Sequence, residues 1–484
     1  MKRKSTITIL MIILSVFQQS VFAELPSKFQ KLIKQGLFTE CQQSMRKELA
    51  KNLNLPALTR LELQFEIERL DRIKKDFTET RADIIPEIKK YIPEVNDILL
   101  SAWEQKRVLE FMIIDGQKRY FRLAVNNLFR IDPAAKKQNL AVLKEIHREQ
   151  SSDENSFSLN RHVEQVLELA KKTHGKYIAP KRFRIKYTLT VNENVVPAGK
   201  IVRCWLPYPR ERASHQTEIH FITSEPRYHI IADNHNYLQR TIYLEKIARQ
   251  DGPTVFQVVF EYTGHAFYQS VTADDIQPYR MDEELSEFIA ERPPHIVFTD
   301  ELRELSARIV GDETNPFLIA KKIYEWVDSH IPWASAREYS TIRNISSYCY
   351  QNMHGDCGIQ TLLFMTLCRL NGIPTKWQSG WTTVPGDPGI HDWGEMYFEP
   401  VGWLPVDVDH GLRESDNQNV RWFYFGNVDS YRLVVNDDYS QPLFPAKIHP
   451  RSETVDFQRG EVEWEGGNLY FDQWSYHFDV EYLD

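Results

Sequence analysis

The chain has 484 residues, which is enough for about two to four domains. Hydrophobic residues make up 42% and charged residues 26%, which excludes a wholly disordered chain, a collagen and a coiled coil. The formal net charge of −8, spread over this length, argues against a nucleic-acid partner bound through its phosphates. Five cysteines are too few for a disulfide scaffold, and their odd number leaves at least one sulfur without a partner in the chain.

Residues 1–23 have the pattern of a secretory signal peptide. Three basic residues at 2–4 precede an apolar run at 7–17, and small residues end the segment before Glu24. The run is too short to span a bilayer core of about 30 Å, so an uncleaved membrane anchor is the less favoured alternative. We expect the signal to be removed, the mature chain to have no membrane span, and the protein to be exported to the periplasm or secreted.

Residues 24–175 predict a helical domain. Apolar and long charged residues alternate at helical spacing in segments such as 61–70 and 163–169, while glycine is scarce. The segment contains no chemical motif, so its charges are interpreted as solvated helix faces, and its role stays open.

Residues 178–270 predict an antiparallel, sandwich-like β domain. Apolar and polar residues alternate in 183–191 and 255–262, and turn residues lie between such segments. From about residue 280 to 450 helical and strand patterns mix, and the aromatic tail at 453–484 predicts two or three strands that pack on the core or on the β domain. The predicted fold class is α+β.

Cys357 lies where a reactive thiol is expected. The apolar residues that follow it have helical spacing, and Gly372 and Pro374 are typical of a helix end. The helix therefore begins at or beside Cys357, and the positive end of its dipole favours the thiolate. The other cysteines, Cys41, Cys204, Cys349 and Cys368, are interpreted as inert core thiols, with pairing or lining of the site as an alternative for Cys349.

A nucleophilic cysteine needs a base and a group that orients the base. His391 begins a predicted strand after a Gly- and Pro-rich loop, and Asp407 ends the returning strand. Pairing Phe398 with Trp403 would put His391 and Asp407 on opposite faces. A three-residue loop that ends at a left-handed Gly402 would put both on one face but offset, with Asp409 nearer. The hairpin alone leaves Asp407 and Asp409 open.

Three blocks of sequence, in order, resemble the transglutaminase-like superfamily. They are a cysteine at a helix start with an "RxxGIP" helix exit, an "HxWxE" strand and a "GWxPxD" strand, at residues 355–374, 391–397 and 402–407. The resemblance covers about residues 180–484 but not 24–175. Asp392 departs from the pattern, which usually has a small residue there.

The resemblance implies a papain-like core with Cys357 as nucleophile, His391 as base and Asp407 as the orienting acid. It implies a thioester formed by attack of the cysteine on an amide, with no cofactor or metal. Water would then give hydrolysis and an amine would give cross-linking. No obvious calcium-binding loop is present, which disfavours calcium-activated cross-linking. For the oxyanion donor we consider the backbone N–H of Cys357 and the side chain of Gln351.

Two classes of function follow from these residues. The favoured one is an exported thiol hydrolase that cleaves amide bonds in a peptide, a protein or the cell wall. A protein-glutamine transamidase is its nearest variant. The other class is a binding or scaffolding protein that keeps the fold without catalysis. The oligomeric state is left open by the sequence.

Overall fold

The structure, a computed structural model, describes residues 25–146, 157–212, 215–280 and 282–483. The predicted signal peptide, residues 1–23, lies outside these described residues. Among the helices that are described, none is both long and apolar enough to cross a membrane. The fold combines helices with antiparallel sheets, which confirms the α+β prediction.

The region before residue 175 is mainly helical. Its helices are α1 (Ser27–Lys34), α2 (Phe38–Lys51), α3 (Ala57–Asp76), α4 (Arg81–Lys89), α5 (Asp97–Gln105), α6 (Ala124–Ile131), α7 (Pro133–Ile146) and α8 (Leu159–Thr173). Helices α1 to α6 and the start of α7 enclose one apolar core that includes Phe29, Leu70 and Phe121. Helix α8 packs instead with residues such as Phe423 and Tyr424 from the later part of the chain. The helices therefore divide between two packing units.

A short hairpin interrupts the helices and differs from the purely helical prediction. Its strands are β1 (Phe111–Ile114) and β2 (Gln117–Tyr120). Asp115 and Gly116 form the turn with φ of 49° and 80°, the positive values that a two-residue hairpin turn of this kind requires.

Residues 177–267 supply six strands to two antiparallel sheets. The strands are β3 (Tyr177–Val191), β4 (Ile201–Pro207), β5 (Gln216–Glu225), β6 (Ile230–Ile231), β7 (Thr241–Ile247) and β8 (Thr254–Phe267). In β8 buried and half-buried residues alternate, as expected for a strand with one face on an apolar core.

The remaining elements form the mixed core and the closing strands. They are α9 (Glu283–Glu287), α10 (Asp300–Val310), α11 (Pro316–His330), α12 (Ile345–Asn352), α13 (Cys357–Leu370), β9 (Thr375–Thr382), β10 (Gly389–Phe398), β11 (Gly402–Val406), α14 (Gln418–Arg421), β12 (Arg432–Asn436), β13 (Glu461–Trp464), β14 (Gly467–Leu469) and β15 (Trp474–Tyr482). Short single-turn helices lie at 273–275, 339–341 and 471–473.

Three sheets organise this part of the molecule. The core sheet has the strand order β11-β10-β9-β12 and packs against α13. The other two have the orders β14-β13-β4-β7-β6 and β15-β3-β8-β5. The closing strands thus extend the sheets of residues 177–267 and not the core sheet.

The helical region packs beside the segment that leads to Cys357. Arg69 donates to the carbonyl oxygen of Thr341 at 3.0 Å, and Asp76 accepts the backbone N–H of Glu338 at 2.9 Å. Glu66 forms a 2.9 Å ion pair with Arg343. These contacts fix the backbone on both sides of Tyr339.

Gly380 in β9 gives a test of how closely the core sheet is packed. Gly380 pairs with His391 of β10 and with Val434 of β12. A Cβ at Gly380 would lie 1.9 Å from the carbonyl oxygen of Leu433, and backbone cannot move aside as a side chain can. We expect Gly380→Ala to lower the free energy of unfolding by about 1–3 kcal/mol, measured by urea denaturation. Gly389→Ala is the control because a Cβ there has nothing within 4 Å. An equal loss in both variants would contradict this interpretation.

Candidate active site

Cys357 is the first residue of the buried helix α13, as the sequence predicts. Asp356 precedes the helix, and its side chain accepts the backbone N–H of Ile359 at 3.1 Å. As a first-turn residue, Cys357 has no carbonyl acceptor within the helix for its own N–H, which keeps that group available as an oxyanion donor. Cys357 is 9% exposed.

The other four cysteines are buried free thiols, in agreement with the prediction that they are core residues: Cys41, Cys204, Cys349 and Cys368. Cys368 lies in the same helix as Cys357 and is completely buried. It therefore offers a matched control for the chemistry of Cys357.

The hairpin of β10 and β11 has neither of the two registers considered from the sequence. Phe398 pairs with Gly402 and Gly394 pairs with Val406, so the loop is residues 399–401 and Gly402 is the first residue of β11. The strand pairing ends at Val406, and Asp407 lies in the turn that follows. Its Oδ1 accepts the backbone N–H of His410 at 3.0 Å. Because the chain turns here, Asp407 can reach His391 although the ladder would place Asp409 opposite it.

Asp407 is the carboxylate that binds His391 closely. Its Oδ2 lies 2.7 Å from Nε2 of His391 and 2.8 Å from the guanidinium of Arg432. Arg432 is fully buried and also pairs with Asp429 at 3.1 Å. Burial alone would raise the pKa of Asp407, but His391 and Arg432 together hold it well below its usual range. Asp407 is thus a carboxylate that fixes the Nε2–H tautomer of His391.

The other ring nitrogen of His391 faces Asp409 and the thiol. Nδ1 lies 3.7 Å from Oδ2 of Asp409. The thiol of Cys357, a ring nitrogen of His391 and a carboxylate oxygen of Asp409 all lie within 4.8 Å of one another. Burial raises the pKa of Asp409 to about 6. The structure therefore brings both acids considered from the sequence to His391, on opposite sides of the ring.

The surroundings of the sulfur oppose the thiolate more than the helix position alone predicts. Burial, followed by the nearby carboxyls of Asp392, Asp356 and Asp409, raises the pKa of the Cys357 thiol well above its usual value. The thiol donates to Oδ2 of Asp392 at 3.4 Å. The sequence singled out Asp392 only as a departure from the family pattern, and its contact with the sulfur was not anticipated. A positive charge beside the sulfur would be needed to favour the thiolate, and a ring nitrogen of His391 lies within 4.8 Å of it.

Gln351 was wrong as a candidate oxyanion donor. Helix α12 ends at Asn352, and Met353 has a left-handed φ of 56°. Gln351 lies on the exposed face of this helix, where its amide donates to Glu301 at 3.3 Å. This leaves the backbone N–H of Cys357 as the oxyanion candidate from the sequence.

Three of the tryptophans in this part of the chain, Trp377, Trp381 and Trp393, are buried and serve packing. Trp333 is 42% exposed, carries the guanidinium of Arg130 over its ring at 4.4 Å, and forms a β-bridge with Gly355. It is therefore the tryptophan of this set that is open to a ligand near Cys357.

Two groups of possible metal donors overlap with this site: Cys357, His391 and Asp409, and His391, Asp407 and His410. In the second group Asp407 already pairs with Arg432 at 2.8 Å, and the guanidinium charge opposes a cation there. The first group contains the thiol and the imidazole that thiol chemistry uses.

Comparison with known proteins agrees with this geometry. Residues 303–408 match the model of the Transglutaminase-like superfamily, a range that contains Cys357, His391 and Asp407. The chain therefore carries a transglutaminase-like domain. It is 23% identical over 299 residues to an uncharacterized protein of Haemophilus influenzae, covering 52% of this chain and 78% of that protein.

Two solved structures are also similar. A candidate cysteine protease from Cytophaga hutchinsonii has a TM-score of 0.42 and 15% identity, covering 64% of this chain and 92% of that chain. A candidate protease from Parabacteroides distasonis has a TM-score of 0.18 and 8% identity, covering 48% of this chain and 67% of that chain.

The two acids beside His391 are separable by experiment. We expect Asp407→Asn to slow iodoacetamide alkylation of Cys357 at neutral pH by about tenfold or more, because the imidazolium loses its orienting carboxylate. Asp409→Asn should speed alkylation a few-fold, since it removes a negative charge that raises the thiol pKa. Mass spectrometry of the labelled peptide measures both rates, and circular dichroism checks folding. The reverse order of effects would assign the orienting role to Asp409.

Proposed function

We propose that the transglutaminase-like domain is a cysteine-dependent acyl-transfer enzyme that hydrolyses amide or peptide bonds through a thioester on Cys357. One observation carries the proposal. Cys357 begins a buried helix, a ring nitrogen of His391 lies within 4.8 Å of its thiol, and Oδ2 of Asp407 lies 2.7 Å from Nε2 of His391. This is the order of nucleophile, base and orienting acid that thiol acyl transfer requires.

The first half of the reaction uses both ring nitrogens of the imidazole. Nδ1 of His391 takes the proton of the Cys357 thiol, and the sulfur attacks the carbonyl carbon of the amide. The backbone N–H of Cys357 donates to the oxygen that becomes negative. His391 then gives its proton to the departing amine, the C–N bond breaks, and the acyl group stays on the sulfur as a thioester.

The second half regenerates the thiol. His391 removes a proton from water, the oxygen attacks the thioester carbon, and the C–S bond breaks as the sulfur regains a proton. An amine in place of water would give a new amide, the transamidation variant. Throughout, Asp407 stays charged because Arg432 balances it at 2.8 Å, so the positive charge on His391 is stabilised without protonation of the acid.

The reactivity of Cys357 distinguishes an enzyme from a scaffold with the same fold. We expect iodoacetamide at neutral pH to label Cys357 at least about tenfold faster than Cys368 in the folded protein, because a base lies beside Cys357 alone. His391→Ala should abolish this advantage. Peptide mapping by mass spectrometry gives both rates.

The same sample then tests turnover. The protein and Cys357→Ala are incubated with amide substrates, with and without a primary amine, and the products identified by mass. Cys368→Ala is the matched control and should remain active. Labelling of Cys357 no faster than that of Cys368 would contradict the enzyme and support the scaffold. Amine incorporation that exceeds hydrolysis would replace the hydrolase by a transamidase.

We also propose that the protein is exported and acts on a peptide, a protein or the cell wall outside the cytoplasm. The basic and apolar pattern of residues 1–23 supports this. Expression in a bacterial host should yield a mature chain that begins at Glu24 in the periplasm or medium, which N-terminal sequencing measures. Retention of Met1 in a cytoplasmic fraction would contradict export.

A further inference from the structure

Asp392 touches the reacting sulfur but has no part in the mechanism described so far. It is 2% exposed, and its Oδ2 lies 3.4 Å from Sγ of Cys357 and 3.4 Å from the hydroxyl of Tyr339. Its Oδ1 accepts the side-chain N–H of Gln458 at 2.7 Å. The side chain therefore has one oxygen fixed by an amide donor and one oxygen directed at the nucleophile.

We propose that Asp392 is an uncharged carboxylic acid whose O–H donates a hydrogen bond to the sulfur of Cys357 once His391 has taken the thiol proton. This inference deepens the proposed function, on which it rests, by adding a catalytic residue. A charged carboxylate in the same place would do the opposite, because it would keep the proton on the sulfur and repel a thiolate.

The charges around Asp392 favour its neutral form. In the part of the chain that the structure describes, no ion pair involves its carboxyl. The titratable groups around the Asp392 carboxyl, on all the elements packed against it, are Cys357, Tyr339, Asp356, Asp456, Glu453 and the adjacent His391.

The cations nearest to these acids are already paired. Arg459 forms ion pairs with Glu338, at 2.7 Å, and with Glu453. Arg451 lies 3.7 Å from Glu461. A charge on Asp392 would thus lie in a buried acidic surrounding without a counterion of its own, which is a costly arrangement. Burial, followed by the charges of Asp456 and Asp356, raises the pKa of Asp392 well above its usual value, which is the direction that favours the neutral acid.

The hydrogen bonds orient that proton. Gln458 donates its side-chain N–H to the carbonyl oxygen of His391 and to Oδ1 of Asp392, both at 2.7 Å, so Oδ1 serves as the acceptor. The proton of the acid is then on Oδ2. Tyr339 donates its own proton to Asp356 at 2.7 Å, which leaves the hydroxyl oxygen of Tyr339 free to accept.

The proton of Asp392 thus has two acceptors in turn. While Cys357 is protonated, its thiol donates to Oδ2 of Asp392, and the O–H of Asp392 donates to the hydroxyl oxygen of Tyr339. When Nδ1 of His391 has removed the thiol proton, the acid O–H turns to the negative sulfur. Asp392 keeps its proton throughout, and no bond of its carboxyl is broken.

Gly358 provides the space for this arrangement. A Cβ at Gly358 would lie 2.2 Å from the hydroxyl of Tyr339 and 2.7 Å from Oδ2 of Asp392. The residue after Cys357 must therefore be glycine, because a side chain there would collide with the Tyr339 hydroxyl and with Oδ2 of Asp392.

Two substitutions of similar size test the donor. Asp392→Asn keeps an acceptor for Gln458 and an N–H donor for the sulfur, but it cannot ionise. Asp392→Leu removes both the acceptor and the donor. We expect alkylation of Cys357 by iodoacetamide at neutral pH to fall by about tenfold or more in Asp392→Leu and to be largely rescued in Asp392→Asn, because a hydrogen bond to a charged group is lost in the first only.

An alkylation rate in Asp392→Leu equal to that of the unmodified protein would overturn the proposal. So would a rate in Asp392→Asn about tenfold above it, since that would reveal a charged Asp392 that suppresses the thiolate.

An infrared measurement reads the protonation state directly and needs no reactivity. The difference spectrum between the unmodified protein and Asp392→Asn at neutral pH should contain the C=O band of a buried protonated carboxyl. A carboxylate band in its place would overturn the proposal, even if Asp392→Leu failed to fold.

The two proposals can fail separately. Suppose that no amide substrate is turned over, but the acid band is present and the alkylation rates follow the expected order. The proposed hydrolysis is then wrong, while the hydrogen bond from Asp392 to the sulfur stands. If amides are hydrolysed while the band is absent, the role of Asp392 is wrong and the hydrolase stands.

Discussion

The buried ion pair between Arg432 and Asp407 is the interaction on which the site depends. It allows a carboxylate to remain charged inside the protein, and that charge holds the imidazole of His391 in one tautomer at 2.7 Å. Arg432 belongs to β12, the edge strand of the core sheet, and Asp407 follows β11 at the other edge. The sheet therefore has to form completely before the base of the thiol is oriented.

The sulfur is controlled by groups of opposite effect. The helix dipole and a protonated His391 favour the thiolate, whereas burial and the carboxyls of Asp356 and Asp409 oppose it. In the proposed mechanism such a thiol becomes a nucleophile only when His391 takes its proton. The four further thiols lie in the core of the protein, away from this base. Reactivity is therefore expected to depend on where a thiol lies and not on the number of thiols.

Local signals in the sequence predicted the parts of the site that depend on local structure. The start of α13 at Cys357 followed from an apolar pattern and from the Gly372 and Pro374 that end it. The Asp115-Gly116 turn was equally visible, yet the strands on either side are short and lie among helices, so the helical interpretation extended over them. The register of β10 and β11 could not be obtained by counting, because the loop length and the turn at Asp407 depend on tertiary contacts. Contacts distant in sequence, such as Gln458 with Asp392, left no pattern at all.

The order of the strands has a consequence for biosynthesis. Strands β13 and β15 join the sheets of β4 and β3, and the whole mixed core lies between them in the chain. Gln458, whose side chain donates to the carbonyl oxygen of His391, lies shortly before β13 in the chain. A ribosome must therefore have released this late segment before the earlier sheets can close or the imidazole can be anchored. Chains whose translation stops before it would carry every proposed catalytic residue and still lack a finished site.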